Sequence, residues 1–128
     1  MKKMQVVLVL LGGIAMLAGG CSKSLDGSSF NYASGNLSAT LGADVQKSYD
    51  ASLVALANLQ LVPTEKAKDA LGAKIVAKTS ADKKVTILLT RASDNLTQIV
   101  IEVGMVGDKT TSSTIYAKIV ENLNKKVN

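Results

Sequence analysis

Three short stretches carry residue types at spacings that suit covalent chemistry. Ser80-Ala81-Asp82-Lys83 fits S-x-x-K, Ser93-Asp94-Asn95 fits S-D-N, and Lys109-Thr110-Thr111 nearly fits K-T-G, the set with which penicillin-binding enzymes activate a serine. That chemistry needs the first serine on a helix, inside a domain much larger than this chain. Here both full matches fall where the sequence turns, and Ser, Asp and Asn recur in turns because their side chains hydrogen-bond nearby backbone. We read them as turn residues. The stretch Gly104–Thr111, GMVGDKTT, has the glycines and the Lys-Thr of a phosphate loop. Only two residues separate its glycines, however, and Asp108 stands before the lysine, where its carboxylate would repel a phosphate. It reads instead as a strand-to-helix connection capped by Thr111 or Ser112. Asp69, Asp82, Asp94 and Asp108 each fall in a turn or loop, and no spacing forces two of them together or matches a calcium loop. With no histidine and one cysteine, the usual zinc sites and histidine triads cannot be built. The sequence therefore assigns no catalytic residue, no metal ligand and no cofactor, and predicts a protein that is not an enzyme.

Cys21 is the one residue whose position implies a reaction. Lys2 and Lys3 open the chain, Val6 to Leu17 is an uncharged apolar run, and Ala18-Gly19-Gly20 leads directly into the cysteine. That is the layout of a bacterial lipoprotein signal peptide over residues 1–20, with Cys21 lipidated and first in the mature chain. A transmembrane helix needs about 20 apolar residues, whereas Met4 to Gly20 is short of that and holds four glycines. An ordinary secretory signal would leave a free thiol just past the cut. Three fatty chains at Cys21 make a stable anchor where one chain binds only marginally. Ser22, in place of aspartate, points to the outer membrane, with the domain facing the periplasm.

The 128 residues carry a net charge of +5, with 15 basic and 10 acidic side chains. Lys2 and Lys3 leave with the leader and no acid does, so the mature charge is +3 (13 basic, 10 acidic). A nucleic-acid partner is not expected: the location is wrong, and Phe30, Tyr32, Tyr49 and Tyr116 are the only aromatic residues available for stacking. Residues 21–34 are polar and small, and as a flexible tether would hold the domain roughly 20 Å from the headgroups. Within them Phe30 and Tyr32, spaced i and i+2, point one way from an extended chain, either to pack onto the domain rim as a lead-in to the first strand or to contact the membrane interface or a partner.

The elements follow from periodicity. Asn36 to Leu41 alternates as a strand, and Asp44 caps a helix to about Leu59 with Val45, Tyr49, Leu53 and Leu56 in one stripe. Pro63 marks Leu61 to Lys68 as an edge strand. Three further alternating strands follow around Ile75, Ile87 and Ile101, joined by short turns, and then a helix bearing Ile115, Ile119 and Leu123. Two striped helices on one face of an antiparallel sheet satisfy every pattern. The predicted fold is α+β, β-α-β-β-β-β-α, with about five strands and a helix-grip-like two-layer arrangement over residues 35–128. The outer sheet face should carry Lys66, Lys68, Lys74, Lys78 and Lys84, with Thr86 and Glu102 and a small apolar patch of Val76, Leu88 and Val100. It is either a solvated face or a docking face for an acidic protein or an anionic headgroup.

With leader, tether and element order in place, the chain resembles the small bacterial lipoproteins of domain-of-unknown-function family 3568. The stretches that carry the likeness are GNLSATLGADVQKSYDASLVALANLQL, DALGAKIVAKTSADKKVTILL and NLTQIVIEVGMVGD, within residues 35 to 125. The resemblance brings no activity and no site residues with it. More loosely, the layout is similar to the helix-grip domains of the lipoprotein that caps the outer-membrane β-barrel assembly machine, which implies protein–protein contact by fold analogy alone. The expected function is that of a lipid-anchored, non-enzymatic domain of the bacterial cell envelope, binding another envelope protein. A small-molecule or lipid binder, using space between the sheet and the first helix, stands as the alternative.

Overall fold

The structure of the protein, a computed structural model, describes residues 30–127. The leader and Cys21 lie outside the described residues. Strands β1 (Asn31–Ala33) and β2 (Asn36–Leu41) form a hairpin and are followed by helix α1 (Val45–Asn58). Then come β3 (Val62–Lys68), β4 (Gly72–Lys78), β5 (Lys84–Ser93), β6 (Leu96–Val103) and helix α2 (Lys109–Val127). All neighbours pair antiparallel in a six-stranded sheet ordered β1-β2-β6-β5-β4-β3. The α+β class and the two-layer arrangement hold. The strand count rises from about five to six, because Asn31–Ala33 is a strand and not tether. Three residues are too few to show alternation, but Phe30 and Tyr32 carry the signal: Tyr32 pairs with Leu37 on the helix side, and Phe30 meets Tyr116 edge to face at 5.5 Å.

Helix α1 starts where Asp44 accepts from the Lys47 amide at 2.8 Å. It ends with Gln60 at φ +61, the Gln60 amide on Ala57 and the Leu61 amide on Leu56. This is a Schellman ending, in which a left-handed residue frees the chain to turn and the next apolar residue packs back. Leu61 does so, at 9% exposure, and feeds directly into β3.

The core lies between the helices and one sheet face. Leu37, Ile75, Val85, Ile87, Ile99 and Ile101 from the strands, with Ala51, Ala55 and Leu56 of α1 and Ile115 and Ile119 of α2, are all fully buried in one cluster. The small residues Ala51 and Ala55 of α1 therefore belong to the same buried layer as the sheet. The structure holds this layer together at one end through Thr97, whose buried hydroxyl donates to the Ala43 carbonyl at 2.8 Å.

Candidate interaction face

Directly opposite residues of an antiparallel pair share a face, so the register assigns every side chain. On the face away from the helices, one row runs Ser38, Val100, Leu88, Lys74 and Ala67. The next row runs Asn36, Glu102, Thr86, Val76 and Glu65. Leu88 and Val100 are direct neighbours, and Val76 lies diagonal to Leu88. The expected apolar patch is thus brought together: Leu88 stays 38% exposed while Val76 is buried at 6%.

The five lysines are not brought together. Lys74 is on the open face beside Leu88, and Lys78 pairs with Lys84 at the end of the same face. Lys66 stands opposite Ile75 and Lys68 opposite Ala73, which places both on the helix-bearing side. The aromatic contact agrees: the Lys68 ammonium lies 5.8 Å from the ring centroid of Tyr49, on α1. The cause is a register shift between Pro63 and Glu65. One extra residue in a strand sends every later side chain to the opposite face, and Thr64 is that residue, its hydroxyl donating to the Val76 carbonyl at 3.3 Å. Unbroken alternation past Pro63 gives the wrong side for Lys66 and Lys68, and no composition cue marks the bulge.

Charges on the open face are mixed. Lys74 comes within 4.0 Å of Glu65, and Lys78 lies 3.3 Å from Asp82, with both lysines about half exposed. Among the described residues Lys84 makes no ion pair. These are solvated pairs of small energetic weight. Lysine at 74, 78 and 84 therefore remains available to an outside carboxylate.

The motif-like stretches sit apart. Ser80 lies in the β4–β5 turn, where the Thr79 hydroxyl accepts the Ala81 and Lys83 amides. Asp94 and Asn95 form the β5–β6 turn at the other end of the sheet, where Asp94 pairs with Arg91. Asp69 accepts the Leu71 and Gly72 amides at 2.8 and 3.0 Å and shapes the β3–β4 turn. Asp108, not Thr111 or Ser112, caps α2: its carboxylate accepts the Thr111 amide at 3.1 Å and the Thr111 hydroxyl at 2.9 Å. Those two bonds, the backbone one first, hold the Asp108 carboxyl below the usual aspartate range, and Lys83 at 3.4 Å adds to the effect. Each turn aspartate is thus engaged locally. A cleft of about 540 Å³ opens at the rim beside the β2–α1 turn, between Lys47 and Leu123 of α2, with Asp44 and Lys47 as its charged lining. Leu41 of β2 and Val120 and Leu123 of α2 give it an apolar wall.

A family model described as a protein of unknown function (DUF3568) matches residues 4–122, nearly the whole chain. The chain belongs to this family. The match starts at Met4 and spans Cys21, so the apolar N-terminal stretch, the cysteine and the domain fall inside a single family unit. No curated protein matches the chain. Among the described residues, no helix is long and apolar enough to cross a membrane.

Proposed function

We propose that this member of the family is a lipid-anchored protein of the bacterial cell envelope, held by acylated Cys21 in the outer membrane, whose domain docks a second envelope protein on its open sheet face. The observation that carries the reading is the one-sided construction. Both helices cover the same face, and the other presents the contiguous Leu88–Val100 pair with Lys74, Lys78 and Lys84 at its margins. An apolar centre with a charged rim is the anatomy of a modest protein interface. The lysines select a partner surface rich in carboxylates. Acylation of the cysteine keeps such a domain beside its partner without a membrane-spanning helix. Catalysis has no part in this reading, nor does a nucleic-acid partner.

In-cell crosslinking of the full chain tests it, followed by mass spectrometry of what co-purifies and of the acyl mass on Cys21. The wild-type protein should carry one stoichiometric envelope protein, and the Lys74→Glu, Lys78→Glu variant should lose it while unfolding at the same temperature. Equal capture by the variant removes the open face from the reading.

A further inference from the structure

The β6–α2 connection carries the two most exposed large apolar side chains among the described residues: Met105 at 103% and Val106 at 91%. A single exposed apolar residue is ordinary surface. These two are adjacent and are held outward by a locked base. Gly104 and Gly107 take φ of +71 and +91, and Gly107 packs so closely that a Cβ there would lie 2.5 Å from the Gly35 Cα and 2.6 Å from the Tyr32 hydroxyl. The knuckle is therefore fixed against the β1–β2 hairpin. That hairpin is where the chain arrives from Cys21. Eight residues lie between Cys21 and Phe30, and the nine steps from one to the other span about 30 Å at most when fully extended. From Phe30 the chain reaches Gly35, in contact with Gly107, within five residues, or roughly 17 Å of strand. The intervening chain is therefore long enough for this end of the domain to meet the surface that holds Cys21.

We propose that Met105 and Val106 insert into the headgroup boundary of the membrane in which Cys21 is anchored, so that the domain rests on the bilayer by its β6–α2 end. This rests on the anchoring part of the reading above and adds an orientation to it. The charges around the knuckle suit a bilayer with anionic lipid. Lys78, Lys83, Lys84 and Lys109 stand at this end against Asp82, Glu102 and Asp108. Lys83 is paired with Asp108 and Lys78 with Asp82, which leaves Lys84 and Lys109 without an ion pair among the described residues. Long lysine stems keep their ammonium groups at headgroup level while neighbouring apolar groups go deeper. With this end down, the open sheet face stands sideways to the membrane, facing a neighbour in the same plane.

The test places the photoreactive residue p-benzoylphenylalanine at position 105, or at position 71 as the comparison, in the full chain in its native membrane. Leu71 is also exposed, at 68%, but lies in the β3–β4 turn at the opposite end of the sheet, about 20 Å away along the strands. After irradiation, phospholipid adducts are counted by mass spectrometry, with the acyl mass on Cys21 read in the same spectra. For a side chain inserted about 5–10 Å into the boundary, phospholipid adducts at 105 should exceed those at 71 by on the order of tenfold. Equal adduct yields overturn the proposal, as do protein adducts replacing lipid at 105. The comparison is made within membrane-held protein, so it stands whether or not Cys21 proves acylated. An unacylated Cys21 would instead overturn the anchoring reading.

Discussion

The two faces of the sheet are made by the same strands and serve different ends. On β6, Ile99, Ile101 and Val103 point to the helices and are at most 1% exposed, while Leu96, Gln98, Val100 and Glu102 point away and retain access to solvent. The covered face is dry, apolar and close-packed, so its residues determine whether the protein folds. The open face alternates charge with small apolar groups, so its exposed residues, unlike the buried Val76, can change with little effect on folding, and on the proposed reading they select a partner. On that reading, stability and recognition are separated by the two-residue period of a strand.

Adjacent residues of β6 give the sharpest way to break that comparison. Ile101→Ala on the covered face should cost about 2–5 kcal/mol, whereas Val100→Ala on the open face should stay below about 1 kcal/mol. Urea unfolding of the two variants measures this. Equal losses would mean that the open face is packed against something in the folded protein, and the separation of roles would fail.

The covered face was the legible one. Apolar alternation at Leu37, Ile75, Ile87 and Ile101 and the stripes on α1 and α2 each have a strong period, and the bounds read for β2, α1 and β3 came within one or two residues of those observed. What escaped were features of one residue with no period. The bulge at Thr64 carries no composition mark and reverses Lys66 and Lys68. Strand β1 is three residues long and depends on pairing with β2 and on the Phe30–Tyr116 contact. The candidate site was therefore half legible: the Val76, Leu88 and Val100 patch and Lys74, Lys78 and Lys84 followed from alternation, but the split of the lysines between two faces did not. Met105 and Val106 escaped for another reason. Exposure of an apolar residue in a loop is fixed here by the close approach of Gly107 to the Gly35 backbone and the Tyr32 hydroxyl, about seventy residues away in the chain.

The next effect in size concerns that loop. Gly107→Ala adds a methyl group where φ is +91 and where Gly35 and Tyr32 leave no room. Backbone strain and overpacking each cost about 1–3 kcal/mol at such positions, and thermal unfolding should register the loss. An unchanged midpoint would show the knuckle to be loosely held. The opposite sign is expected at the end of α1, where Gln60 holds φ +61 without a glycine's freedom. Gln60→Gly should stabilise the domain by about 1 kcal/mol, because a left-handed residue with a Cβ costs about 1–2 kcal/mol and glycine's added chain entropy offsets part of the gain.

A smaller effect tests whether the cap of α2 is electrostatic. The Asp108 carboxyl is held below its ordinary value of 3.8 by the Thr111 amide and hydroxyl, with Lys83 contributing. A carboxyl depressed by folding adds stability that is present above its unfolded pKa and is lost as pH falls through its folded pKa. Asp108→Ala should therefore lower the unfolding midpoint by a constant amount from neutral pH down to about pH 5. Below about pH 4 the difference should shrink, as protonation removes the charge from the wild-type cap. A difference that persists undiminished at low pH would assign the capping to hydrogen bonding without charge. The same variant bears on the proposed membrane contact, because Asp108 also neutralises Lys83. Removing the carboxylate frees that lysine beside the Met105–Val106 knuckle. If the end rests on anionic lipid, Asp108→Ala should weaken the fold and yet strengthen membrane contact. The two readouts then move in opposite directions within one variant.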